Sequence, residues 1–134
     1  MSEKIVFDSS AIIALLELEE GWEIVSDHLN NAIVSTINLA EVMTVMSRKT
    51  VGVDVAGEAM KLLQNVFPHI VDFNQEQAVI TASLDSATKE YGLSLGDRAC
   101  LALAKSKNLP VLTADKVWEK LKIGVEIKAT KLFR

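Results

Sequence analysis

The chain has 134 residues, 49% hydrophobic and 24% charged, with a net charge of −4. That length and balance suit one folded domain over 1–134 and exclude a disordered or low-complexity chain. A single cysteine, Cys100, excludes an internal disulfide, and with only His28 and His69 beside it a Cys/His zinc site is excluded in practice.

The first predicted strand is Lys4–Phe7, ended by Asp8. Ser10–Glu19 then reads as a helix capped by Ser9 or Ser10. Gly21 interrupts it, and Trp22–Leu29 forms a second helical segment. Ala32–Ser35 is a short strand. Thr36–Lys49 is a strong helix, with Leu39, Val42, Met43 and Met46 at helical spacing. Val53–Val66 is a further helix, and HIVDF after Pro68 a third strand. Gln75–Tyr91 is helical until Gly92 stops it. Leu95–Lys107 is a helix in which Leu95, Ala99, Leu101, Ala102 and Leu103 leave almost no polar face. Pro110–Thr113 is a fourth strand, Asp115–Leu121 a short helix, and Val125–Lys128 a weak fifth strand. Alternating strands and helices imply an α/β fold, a mostly parallel sheet with helices on both faces.

No apolar run approaches the roughly 20 residues of a membrane span. The N-terminus, MSEKIVFD, lacks the features of a secretory signal, so a cytoplasmic protein without a membrane partner is expected. Neither GxGxxG nor GxxxxGK[ST] occurs, which argues against nucleotide binding of those kinds. The charge is divided unevenly. Residues 1–97 hold 15 acidic and 5 basic side chains, and residues 98–134 hold 3 acidic and 9 basic. A basic C-terminal portion is suited to face a polyanion.

In parallel sheets, ligands bind beyond the carboxyl ends of the strands. Asp8 directly follows the first strand and Asp115 the fourth. Glu41 lies early in the helix after the second strand, and Asp97 early in the helix before the fourth. Asp8 and Asp115 each have a plain alternative role as helix caps. Glu41 and Asp97 are harder to dismiss. Glu41 is surrounded at helical spacing by Ile37, Ala40, Val42, Thr44 and Val45, and Asp97 pairs badly with its neighbour Arg98. Carboxylates that converge repel one another unless a cation sits among them. Oxygen donors without Cys or His favour a hard ion, Mg²⁺ or Mn²⁺. Such an ion suits phosphodiester cleavage.

These residues resemble the PIN-domain family, specifically the VapC-type toxins of bacterial toxin–antitoxin pairs. The matching stretches are VFDSSAIIALL around Asp8, STINLAEVM around Glu41, LSLGDRACLALA around Asp97 and LPVLTADKVW around Asp115. The resemblance implies a five-stranded sheet of order 3-2-1-4-5 and an Mg²⁺- or Mn²⁺-dependent endoribonuclease. It implies that Asp8 and Asp97 are the main metal ligands. Glu41 would bind the metal or position the nucleophile, and Asp115 would complete the cluster. Ser10 and Thr113, with Ser9 less certain, match positions lining the site. The resemblance also implies a homodimer and a small cognate antitoxin, for which Ile12, Ile13, Leu15, Leu16 and Trp22 are candidate apolar contacts. For an RNA substrate, Arg98, Lys116 and Lys120 are candidate phosphate contacts, whereas Arg48 and Lys49 lie further off.

Two rivals stand beside this reading. A receiver-type signalling domain would use Asp72 as phospho-acceptor with Asp8, Thr113 and Lys128, but leaves Glu41 and Asp97 without a role. A non-catalytic protein that binds only RNA or a partner has no need of all four acids.

Overall fold

In the computed structural model, residues 3–50 and 55–130 are described. Five strands pair in parallel, in the order 3-2-1-4-5. They are β1 (Ile5–Phe7), β2 (Ala32–Ser35), β3 (His69–Val71), β4 (Val111–Thr113) and β5 (Ile127–Ala129). The three inner strands are buried along their whole length, and the edge strands β3 and β5 are partly exposed. Continuous apolar runs such as IVF and AIVS suit strands covered on both faces.

The helices are α1 (Ser9–Glu17), α2 (Trp22–His28), α3 (Thr36–Arg48), α4 (Ala56–Val66), α5 (Gln75–Ser83), α6 (Asp85–Thr88) and α7 (Leu95–Lys107). Alternate residues of a strand face opposite ways, so β1 feeds two cores. Phe7 packs with Ile12, Leu39, Leu63 and Leu112 on one face. Val6 packs with Leu101, Leu103, Val111 and Trp118 on the other. α7 is buried from Ala99 to Ala104, which explains its missing polar stripe.

Three elements differ from the sequence expectation. The helix expected over Gln75–Tyr91 breaks at Leu84, whose side chain is drawn into the core, and continues as α6 and a 3₁₀ turn, Lys89–Tyr91. The segment after Asp115 is a 3₁₀ turn, Lys116–Lys120, not an α-helix. The helix expected over Val53–Val66 starts at Ala56 among the described residues, and Val53 and Asp54 lie outside them.

β1 sits centrally, with β2 on one side and β4 on the other. The chain therefore reverses its direction of travel across the sheet between β1 and β4, and a crevice forms beyond their carboxyl ends. A receiver domain has the flavodoxin-like order 2-1-3-4-5, so the observed order removes that rival.

Candidate active site

Asp8 leaves β1 straight into the crevice and is 3% exposed. It is the N-cap of α1, its Oδ1 accepting from the Ala11 amide at 2.8 Å. Two hydroxyls also serve it. Ser10 Oγ lies 2.8 Å from Oδ1 and 2.9 Å from Oδ2, and Thr113 Oγ1, at the end of β4, donates to Oδ2 at 2.6 Å. Ser10 Oγ in turn accepts from the Ala114 amide at 2.9 Å, and Thr113 Oγ1 accepts from the Asp115 amide at 3.1 Å. The two central strands are thus tied across the crevice through one carboxylate. Burial pushes the Asp8 pKa up to about 6, against the lowering effect of these donors, and the charge of Asp97 adds to the rise.

Asp97 is the third residue of α7. Its Oδ2 accepts from the Ser94 amide at 2.9 Å, and its own amide donates to Ser94 Oγ at 3.2 Å. This is a capping box, which holds the carboxylate at the helix start. Desolvation raises its pKa. The Ser94 bonds oppose that rise, and the charges of Glu41 and Asp115 add to it. Asp115 caps the 3₁₀ turn after β4, accepting from the Val117 amide at 3.0 Å.

Glu41 reaches the same edge from the second turn of α3. Its Oε1 accepts from Ser9 Oγ and, at 3.0 Å, from Asn38 Nδ2. The crevice therefore gathers all four expected acids, and their charges act on one another. The capping role considered for both aspartates is present: Asp8 caps α1 and Asp115 caps the 3₁₀ turn. The coupling also reaches Cys100 beneath the site. Burial first, then the charges of Asp8, Asp97 and Glu41, push its thiol well above its usual pKa. Among the described residues, Asp8, Glu41 and Asp97 form no ion pair with a basic side chain. Nor do three or more of the acids close around a single point, each being turned to its own protein donors.

The basic candidates sit on two elements, α7 and the turn after Asp115. Arg98 is half-buried and donates through Nη1 to the Thr81 carbonyl at 2.9 Å. Lys116 and Lys120 are exposed on the turn after Asp115, and Lys116 lies 3.8 Å from Glu119. Asp72 is exposed beyond β3. Asn38 is the residue that sequence reasoning missed. It is 1% exposed on α3, and a buried amide one turn before Glu41 on an apolar helix was the available signal. Ser94 was legible too, as the first residue of an S-x-x-D box.

The PIN-domain model matches residues 5–124. The chain belongs to the PIN-domain family. The matched span includes all four acids of the crevice. No curated protein shows significant sequence similarity to the chain. Several solved structures share this PIN-domain fold. A chain of the DNA-bound VapBC complex from Salmonella typhimurium aligns with TM-score 0.71 at 17% identity, over 97% of this chain and 100% of its own length. A toxin–antitoxin complex from Klebsiella pneumoniae gives 0.68 at 22%, over 96% and 98%. VapC20 of Mycobacterium tuberculosis, a sarcin-ricin-loop-cleaving toxin, gives 0.67 at 16%, over 92% and 99%. Among the described residues, no helix is long and apolar enough to cross a membrane.

Proposed function

We propose that this PIN domain is a divalent-cation-dependent endoribonuclease, the toxin of a VapBC-type pair. One observation carries the reading. Buried Asp8 and half-buried Asp97 and Glu41 share one edge of the sheet, burial and a neighbouring carboxylate raise the pKa of each aspartate, and none of the three has a basic side-chain partner among the described residues. Uncompensated charge of this kind is costly unless a cation joins it.

The donor set fits a hard ion, Mg²⁺ or Mn²⁺: carboxylates and hydroxyls, with the only nearby thiol buried and protonated. Asn38 Oδ1, buried and without a partner, belongs to the same side chain that holds Glu41 through Nδ2. Asp8 and Asp97 would be the main ligands, with Glu41 and Asp115 completing the set. Bound there, such an ion would supply charge stabilisation at a phosphate oxygen and lower the pKa of an attacking water. Ser10 and Thr113 hold the Asp8 carboxylate in place and keep it ionised against its burial. Ser94 holds Asp97 in the first turn of α7. Glu41 would bind the ion directly or through water and help position the nucleophile. Lys116 and Lys120 stand on the rim for phosphates. Arg98, tied to α5, supports the site from behind unless RNA draws it away.

The named structural relatives support an antitoxin partner, since two of them are complexes of this kind. An apolar groove of about 240 Å³ runs between α1, α3 and α4, lined by Ile13, Leu16, Val42, Val45, Met46 and Leu62. It suits an amphipathic antitoxin helix. Of the apolar candidates, Ile12 is instead fully buried in the core. A homodimer belongs to the same reading.

Cleavage of total RNA including tRNA tests the proposal. The expected result is cutting with Mg²⁺ or Mn²⁺, its loss with chelator, and products bearing a 5′-phosphate and 3′-hydroxyl. Tight metal-free binding of RNA without cutting under any condition would make this a binding protein and overturn the reading.

A further inference from the structure

Glu41 is held by parts of the molecule far from it in sequence. Ser9, opening α1, donates to its Oε1. Asn38 Nδ2 donates to the same oxygen at 3.0 Å and lies 3.2 Å from both Ser9 Oγ and the Gly96 carbonyl. Asn38 thereby spans α1, α3 and the first turn of α7. Gly96 closes the arrangement. A Cβ built on it would overlap the Glu41 carboxylate, with Oε1 at 2.6 Å.

The glycine needs another explanation than its backbone. Gly96 is the second residue of α7 and is not among the residues with positive φ. Glycine within a helix is unfavourable compared with alanine. At position 96, alanine would satisfy the helix better and would evict the carboxylate.

We propose that Gly96 and Asn38 are positioning residues for Glu41. They form a cradle that holds its carboxylate against the start of α7, one residue from Asp97. The assignment of Glu41 to cation binding rests on the nuclease reading above, whereas the cradle rests on geometry alone. Neither residue touches the reacting atoms. Gly96 acts by leaving room and Asn38 by orienting one oxygen.

The helix and the cradle make opposite demands on Gly96→Ala. The far end of a glutamate is flexible, so the variant folds, with an unchanged or raised Tm. Its Mn²⁺ affinity, read by the electron paramagnetic resonance of free Mn²⁺, falls by about tenfold or more. In a Glu41→Ala background the same Gly96→Ala change has no further effect, because there is no carboxylate left to displace. Asn38→Asp sets a second charge beside Glu41 and moves the acid limb of Mn²⁺ binding to higher pH. Mn²⁺ affinity in Gly96→Ala equal to wild type overturns the cradle, as does an equal loss in the Glu41→Ala background. If wild type binds no Mn²⁺, the nuclease reading falls. The cradle is then judged on metal-free protein by the ¹³C resonance of the Glu41 carboxyl. A shifted signal in Gly96→Ala supports it, and an unshifted one overturns it.

Discussion

The two ends of the sheet are both acidic, yet they are built differently. At the carboxyl ends of the strands, Asp8 is buried, Asp97 is desolvated, and each feels its neighbours' charge. At the opposite ends, clefts of about 250 and 230 Å³ are lined by Glu3, Asp27, Glu126, Lys105, His28 and Lys128, among others. There Glu3, Asp27 and Glu126 are exposed, and Lys128 lies 4.0 Å from Glu126. Acidic side chains are common to both ends. What separates them is desolvation without a compensating cation, which gives a bound metal ion a large return at one end and almost none at the other.

Removing charge from each end should give the largest contrast. Asp8→Asn or Asp97→Asn should lower metal-dependent RNA cleavage by at least about 100-fold, since direct ligands matter more than the groups behind them. Glu3→Gln or Glu126→Gln should leave it within about twofold, as expected for exposed substitutions. Cleavage assays on the four proteins at pH 7.5 provide the check.

Thr113→Val should come next. It removes the 2.6 Å donor from a buried carboxylate and an acceptor from the Asp115 amide. About tenfold lower activity and a stability loss of about 1–3 kcal/mol are expected, measured by kinetics and urea unfolding. The Asp8 pKa should rise further, so the acid limb of the activity profile should move up with it.

The pH dependence of the metal-free protein should separate the two ends as well. Burial lifts the Asp8 pKa from its ordinary 3.8 to about 6 in the folded protein. The native state therefore holds a proton that the unfolded state releases between those values. Stability should be fully present below pH 3.8 and be lost as pH rises through 6, to an extent on the order of 2–3 kcal/mol. Asp97 contributes in the same direction. Urea unfolding of Asp8→Asn should show a shallower decline and greater stability than wild type at pH 7.5. Glu3→Gln, an exposed substitution at the opposite end, should change stability by no more than about 0.5 kcal/mol.

The smallest effect concerns Cys100. Its thiol lies buried behind the acids with a strongly raised pKa, so it should resist alkylation in folded protein and react once unfolded. Ready reaction of native protein at pH 8 would mean that the crevice floor is open.

The order of elements and the four acids were legible because each depends on local pattern. A β-branched run followed by an acid marks β1, and a thirteen-residue stretch after Ser94, apolar from Ala99 to Ala104, marks α7 with its bounds unchanged. The break at Leu84 was not legible, because burial of that side chain overrides good helix formers on either side. The hydroxyls around Asp8 were read as site lining, but their geometry depends on β1 and β4 being neighbours. Glu41's supports depend on three elements meeting, and no window of sequence contains Ser9, Asn38 and Gly96 together. Arg98 stood near the acids in sequence, yet helix rotation turns it toward Thr81.

The most direct test of the central claim is a calorimetric titration of pure protein with Mn²⁺ at pH 7.5 and at pH 5. Wild type should bind at pH 7.5, bind markedly more weakly at pH 5 where Asp8 holds its proton, and lose binding in Asp8→Asn and Asp97→Asn. Equal binding by wild type and both variants, or binding lost instead in Glu3→Gln or Glu126→Gln, would contradict the account.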